Sequence, residues 1–345
     1  MTGTHNEHKP AGQMAMVLDL NKCLGCHTCT VACRKLWNKD PGTTYSYWNN
    51  VETHPGTGYP RDWPQSGGRT ASGAPQRGHI PDLKSGYGEA WTFNHKAVLN
   101  SDSNKGKEWL RPEQDPTWGA NWDEDEGAGV YPADNHHFYL PRLCNHCTHP
   151  ACLQACPRRA IYKRPEDGIV LVDQDRCHGY RFCVEACPYK KVFFDPERAV
   201  STKCIFCFPR VEHGIPPACA RQCPGRLRFV GFLDDPEGPI WKLVKKWKVA
   251  LPLHPEYGTG PNVFYVPPLS PPKYGPGGQV LADERIPLAY LKTLFGEDVV
   301  HALDVLRAER EKRRHARRSE LMDLLIAYEW KKNFRIPGEA REVVQ

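Results

Sequence analysis

An α+β chain of two interlocked cysteine-rich modules, with long irregular insertions and a Pro-rich then helical C-terminal tail, is the fold these 345 residues predict. Three observations predict it. All fifteen cysteines fall in four tight clusters. Short strand-like segments lead into the first and third of those clusters. Apolar residues recur at helical intervals after position 288. The length suits about two average domains. Gly (29) and Pro (32) together stay below the roughly 25–30% that marks low-complexity disorder. Ten Trp, 14 Tyr and 12 Phe also argue for a folded chain. No run approaches the 18 or so apolar residues of a membrane helix, so no direct span is expected. Met1 to Gln13 is polar, and an export signal of the chain's own is not expected.

The clusters read Cys23-x2-Cys26-x2-Cys29-x3-Cys33, then Cys144-x2-Cys147-x4-Cys152-x3-Cys156-Pro157. The third is Cys177-x2-Tyr180-x2-Cys183-x3-Cys187-Pro188 and the fourth Cys204-x2-Cys207-x11-Cys219-x3-Cys223-Pro224. Disulfides that staple a fold would be spread through it, yet 34–143 and 224–345 hold no cysteine. Zinc sites usually present Cys-x2-Cys pairs across a longer spacer. Three close cysteines and a fourth after x3, with Pro next, are the bacterial ferredoxin run C-x2-C-x2-C-x3-C-P. Four such runs point to iron–sulfur chemistry; a zinc-scaffolded structural adaptor is the rival reading.

Three cysteines on a tight loop face one cubane, and the fourth, carried into the next helical turn, ligates the partner cluster. The motifs therefore work in pairs. Cys156 and Cys177 stand 21 positions apart, so the second and third motifs form one compact unit. The first and fourth pair by elimination, with that unit nested between them. Cluster one takes Cys23, Cys26, Cys29 and Cys223. Cluster two takes Cys33, Cys204, Cys207 and Cys219. Cluster three takes Cys144, Cys147, Cys152 and Cys187, and cluster four Cys156, Cys177 and Cys183. Tyr180 stands where the sixteenth sulfur would be. A phenolate ligand, a solvent ligand beside a packed ring, and a [3Fe–4S] centre with one corner uncoordinated all suit this spacing. The expectation is three [4Fe–4S] clusters and one [3Fe–4S] cluster, with Tyr180 a non-ligand and the potential highest there.

The formal charge of +6 does not point to nucleic acid. Four clusters with their thiolates contribute about −8, leaving the loaded protein near −2. The basic residues Lys22, Arg34, Arg142, Arg158, Arg159, Arg176, Arg181, Lys203 and Arg210 read as counter-charge or as solvated surface.

Along the chain, Met14 to Leu20 reads as a strand feeding the first motif. Gly168-Ile-Val-Leu-Val-Asp173 reads as a clearer one leading into the third. One module comprises 14–36 with 200–232, and the nested one 138–199. Between them 37–137 is an insertion dense in aromatics: Trp37, Tyr45, Tyr47, Trp48, Trp63, Trp91, Trp109, Trp118 and Trp122. Insertions of that size are often functional or partner-bound, so a subunit interface is expected rather than padding for the clusters. In the extension 233–345, Trp241 to Ala250 is short, basic and amphipathic. Pro252 to Pro276 is too proline-rich for helix or central strand and is expected to lie along a surface. Leu291, Leu294, Val299, Leu303 and Leu306 mark helix; Arg307 to Arg318 is a solvated charge run, and Leu321 to Trp330 an apolar helical patch expected to dock on a partner. His27, His146, His149 and His178 interleave the motifs as packing or hydrogen-bonding groups. No nucleophile–base set, P-loop or dinucleotide fingerprint is present; Gly56-x-Gly58 is too weak to count.

With the motifs placed, the chain resembles the iron–sulfur β subunits of the nitrate reductase branch of the dimethyl-sulfoxide-reductase molybdenum enzymes. The resemblance spans nearly the whole length. It rests on Leu18-Asp-Leu-Asn-Lys-Cys-Leu-Gly-Cys-His-Thr-Cys29, Trp48-Asn-Asn-Val-Glu-Thr53, Pro55-Gly56, Gly58-Tyr-Pro60, Pro141-Arg-Leu-Cys-Asn-His-Cys147 and Asn262-Val-Phe-Tyr-Val-Pro-Pro268. The length is similar to the compact β subunits of ethylbenzene and dimethylsulfide dehydrogenases and of selenate, chlorate and perchlorate reductases. Tyr180 departs from the Trp of the nitrate reductase subunits. The resemblance implies a non-catalytic electron wire between a molybdenum bis-pterin α subunit, facing cluster one, and a haem b γ subunit, facing cluster four. It also implies anaerobic respiration and a periplasmic location reached with an exported α subunit, the cytoplasmic face being the alternative. Substrate and direction of flow belong to α.

Overall fold

A computed structural model describes residues 12–39, 42–67, 78–88, 94, 97–98, 109, 111, 113, 127–130 and 134–336. Its strands are β1 (Met14–Asp19), β2 (Asn50–His54), β3 (Phe138–Arg142), β4 (Ile161–Lys163), β5 (Val170–Val172) and β6 (Val192–Asp195). They continue with β7 (Val200–Lys203), β8 (Arg228–Phe232), β9 (Leu251–Pro252), β10 (Val263–Val266), β11 (Pro272–Tyr274) and β12 (Val280–Glu284). The helices that matter below are α1 (Thr28–Trp37), α2 (Ala151–Gln154), α3 (Phe182–Ala186), α4 (Ala218–Arg221), α5 (Leu288–Phe295), α6 (Val299–Arg314) and α7 (Glu320–Ile326).

The central sheet runs β8-β1-β10-β9. β1 pairs antiparallel with β8 (Met16 opposite Val230) and parallel with β10 (Met16 opposite Val263). Its Met-Ala-Met-Val-Leu run is apolar on both faces because both faces are covered, and every residue of it is buried. Met16 and Leu18 join the core that holds most of the cysteines, while Ala15 and Val17 face a second apolar cluster. The sheet thus anchors the first motif at the end of β1 and the C-terminal helices behind it.

Two expectations are corrected here. The Pro-rich stretch contributes β10, an interior and fully buried strand. Val263-Phe-Tyr-Val266 is a proline-free run between Pro261 and Pro267, so the prolines bound the ladder instead of interrupting it. The patch expected to dock on a partner folds onto its own chain. Leu321 and Leu325 of α7 are buried with Leu306 of α6 against Val17 and Phe229. Ser319 caps α7 by accepting from the Met322 N–H at 3.1 Å. The break between α5 and α6 falls at Gly296, whose φ of +76° is left-handed.

The helix carrying the end of the first motif, α1, packs against α4 of the fourth; α2 of the second motif packs against α3 of the third. The hairpins β4–β5 and β6–β7 flank the latter pair. In the insertion, β2 pairs with β3. Trp48, Tyr59, Trp63 and Tyr87 are buried, and Trp37, Tyr45 and Tyr47 pack on the core. Trp109 is exposed; Trp91, Trp118 and Trp122 lie outside the described residues. No helix among the described residues is long and apolar enough to cross a membrane.

Candidate metal centres

Each motif is a turn followed by a short helix, and the turns use left-handed backbone so that successive sulfurs face inward. Gly25 (φ +66°) lies between Cys23 and Cys26, and a Cβ there would meet the Tyr139 ring at 2.6 Å. Gly179 (φ +65°) precedes Tyr180, and a Cβ there would meet the Ala199 carbonyl oxygen at 2.4 Å. Cys29 and Cys33 follow on α1, Cys152 on α2, Cys183 on α3 and Cys219 on α4.

The sulfurs gather around four cavities. One is lined by Cys23, Cys26, Cys29 and Cys223, with Arg228 in its wall. The second is lined by Cys33, Cys204, Cys207 and Cys219, with Met16, Trp37 and Asn49. Cys144, Cys147, Cys152 and Cys187 line the third, together with Lys191. Cys156, Cys177, Cys183 and Tyr180 line the fourth, beside Ser201. The cavities stand in a row. Cys33 and Cys219 of the second group lie within electrostatic reach of Cys29 of the first. Cys204 of the second reaches Cys144 of the third. Cys152 and Cys156, one turn apart, join the third to the fourth.

None of the fifteen cysteines is in a disulfide. Burial pushes the thiols of Cys23, Cys147 and Cys219 up to about 12 and that of Cys183 to about 11, and neighbouring thiols add to the rise. Cys33 and Cys152 are raised well above the usual thiol value for the same reasons. Thiols so placed ionise only where a metal supplies compensating charge, since a coordinating thiol is deprotonated outright. The surroundings are prepared for thiolate. Backbone N–H groups donate to sulfur at 3.3 Å from Ala160 to Cys156 and from Ser201 to Cys177, and at 3.4 Å from Phe206 to Cys204. Trp37 Nε1–H donates to Cys207 at 3.0 Å. Ser201 Oγ is 3.2 Å from Cys183 Sγ.

This donor set fits iron–sulfur clusters. Among the described residues, no three His, Cys, Asp or Glu side chains converge closely enough to hold a single ion, as a zinc scaffold would need. His146 is buried; its Nδ1 accepts from the Val170 N–H at 3.1 Å, and burial holds it neutral. Burial likewise takes His27 down to about 4. Both are packing groups beside the turns.

Sequence reasoning missed three participants. Arg228, Lys190 and Lys191 are fully buried near the thiols, and nothing in a lone Lys or Arg signals that burial. Lys203 was among the candidate counter-charges and is buried, donating at 2.9 Å to the Cys204 carbonyl. Arg142 is buried too, but its charge is taken by Glu52 at 2.7 Å. The Trp37 contact to Cys207 is likewise illegible in sequence. Trp37→Phe is expected to lower the potential of the centre at Cys207 by the equivalent of one hydrogen bond, about 1 kcal/mol, with the fold intact; a redox titration of the variant checks it.

The 4Fe-4S dicluster domain family matches residues 135–233, which hold the second to fourth motifs. The β subunit of dimethylsulfide dehydrogenase from Rhodovulum sulfidophilum is 56% identical over 94% of this chain and 98% of its own length. The chain belongs to the iron–sulfur β subunits of the dimethyl-sulfoxide-reductase family. The selenate reductase β subunit of Thauera selenatis is 54% identical over 92% of this chain and 96% of its own. The respiratory nitrate reductase 1 β chain of Escherichia coli (strain K12) is 35% identical over 91% and 82%. Within such a β subunit the central sheet, motif helices and buried insertion aromatics together form the housing of the thiol groups.

Proposed function

We propose that this β subunit relays electrons between a molybdenum bis-pterin catalytic α subunit and a haem b γ subunit, in two interlocked ferredoxin-like modules. The observation that carries this reading is the row of four cavities, each lined by the thiols of two motifs. Cys23, Cys26, Cys29 and Cys223 would hold one [4Fe–4S] cluster. Cys33, Cys204, Cys207 and Cys219 would hold a second, and Cys144, Cys147, Cys152 and Cys187 a third. Cys156, Cys177 and Cys183 would hold a [3Fe–4S] cluster beside Tyr180. When bound, such clusters supply one-electron redox chemistry over a potential range of roughly −700 to +450 mV.

The chain's own part is to fix the order of the centres, exclude water and stabilise thiolate by N–H···S contacts. Its surface suits the two ends of a relay. Leu24, Val31 and Leu36 are exposed beside the first group, where Cys26 is itself exposed; this face is assigned to α. Tyr180 and Phe182 line the fourth and are exposed; this face is assigned to the haem subunit. Apolar side chains left in water at both ends fit surfaces that partners cover.

The work of such a chain is anaerobic respiration, and its proposed location is the periplasm, reached in company with an exported α subunit. Oxygen-protected complex is expected to contain about fifteen irons in the β subunit beyond those of its partners, with a [3Fe–4S] signal in the oxidised EPR spectrum. A complex in which the Cys156 end faces α would overturn the assignment of the two faces.

A further inference from the structure

Resting on the iron–sulfur reading, we propose that Arg228 is a fixed counter-cation shared by the first and second metal centres, holding both at higher reduction potential than their thiolate surroundings alone would give. The placement carries this. Arg228 opens β8 and is 1% exposed. It lines the cavity of Cys23, Cys26, Cys29 and Cys223 directly. The two groups that hold its guanidinium, Met16 (Nη1 to Sδ, 3.6 Å) and Asn49 (Nη2 to Oδ1, 2.9 Å), line the cavity of Cys33, Cys204, Cys207 and Cys219. The side chain therefore stands in the wall between the two sites.

No carboxylate is among those partners, and the buried Nε–H has no acceptor among the described residues. The contrast is Arg142, also 1% exposed, which has Glu52 at 2.7 Å and two backbone carbonyls. A buried cation without its own anion costs several kcal/mol, and a Met or Leu would fill the wall without that cost. Thiolates on either side are the anions that make Arg228 tenable. Arginine keeps its charge at every accessible pH, so the field is permanent. A positive charge in a low-dielectric wall favours whichever redox state carries one more electron.

The test is an EPR-monitored redox titration of the intact, anaerobically purified complex. Arg228→Met is expected to lower the midpoints of two [4Fe–4S] centres by at least a tenfold change in the reduction equilibrium, about 59 mV for one electron. The third cubane and the [3Fe–4S] centre should stay put as internal references. Asn49→Asp, which sets a carboxylate against the guanidinium without removing it, should move the same two centres in the same direction. Arg228→Lys should lower both by less than Arg228→Met does, because a buried ammonium is a less permanent charge than the guanidinium. Should Arg228→Met not assemble, Arg228→Gln, which keeps a hydrogen-bonding side chain in the wall without the charge, decides in its place, since Asn49 itself lines the second cavity and a carboxylate there acts on that centre directly. Unchanged midpoints, or one uniform shift of all four, in a variant with intact spectra would overturn the proposal. A wild-type complex whose β subunit lacks iron–sulfur signals would instead overturn the functional reading on which it rests.

Discussion

Tyr180→Cys is expected to add one iron to the chain, abolish the [3Fe–4S] signal of the oxidised protein and lower that centre's midpoint by on the order of hundreds of millivolts. Cluster type is among the levers that spread such centres over roughly −700 to +450 mV, so the change acts on the strongest of them. The geometry favours clean conversion. Tyr180 follows a left-handed glycine and lines the same cavity as Cys156, Cys177 and Cys183. It stands in the place taken by Cys26, Cys147 and Cys207 in the other motifs. The residue is 55% exposed, and its ring lies tilted against its neighbours, with centroids 6.2 Å from His178 and 6.4 Å from Phe182. Losing it therefore costs about 0.5 kcal/mol or less in stability. Electron passage at this end should become unfavourable while the other three midpoints hold. Iron analysis and EPR on wild type and variant decide the matter. A wild type with sixteen irons and no [3Fe–4S] signal means that the phenol or solvent completes a cubane, and the variant would then change neither.

How much of this was legible in the sequence follows from which physics is local. The grouping of the thiols is set by spacings of two and three residues and by the need of each loop for a partner loop, so the motif string carries it. β1 was legible because Met14 to Leu20 alternates loosely and runs straight into the turn of the first motif. β10 was obscured by proline composition averaged over a window, although the ladder itself needs only Val263 to Val266 to be free of proline. The fate of Leu321 and Leu325 was misread because an amphipathic face states that something covers it and never what. Buried charge was the least visible. Glu52 lies in the Trp48–Thr53 segment that carried the resemblance, yet no local pattern separates a buried Glu on an ordinary strand from a solvated one. Its partners come from β3 and from Tyr59 and Trp63, and only the fold brings them together.

That network supports the second large effect. Glu52→Gln is expected to destabilise the protein by about 3–5 kcal/mol, the range for removing one partner of a buried ion pair. Glu52 is fully buried on β2. Its Oε1 accepts from Arg142 Nε at 2.7 Å, the Tyr59 N–H at 2.9 Å and Asn50 Nδ2 at 3.1 Å. Trp63 Nε1–H donates to Oε2 at 3.2 Å, and His54 Nε2 lies 3.3 Å away. Arg142 in turn stacks 3.7 Å over the Trp63 ring and donates to the Tyr189 carbonyl at 2.9 Å, two residues beyond Cys187. The network therefore ties the insertion to the wall of the third thiol group. Burial alone would raise the Glu52 pKa, but Arg142, His54 and Lys191 overcome it and hold the carboxyl far below its ordinary value of 4.5. A folded pKa below the unfolded one gives stability that is complete above about pH 4.5 and is lost as pH falls toward the folded value. The gap between wild type and Glu52→Gln should then be constant at neutral pH and close under acid. Denaturant midpoints read from bleaching of the visible absorbance measure it. A neutral-pH gap within about 1 kcal/mol would show that Arg142 does not need its anion. The double variant Glu52→Gln with Arg142→Met should recover much of the loss, because replacing both members of a buried pair is far milder than stranding one; no recovery would assign the effect to packing of the insertion instead of charge.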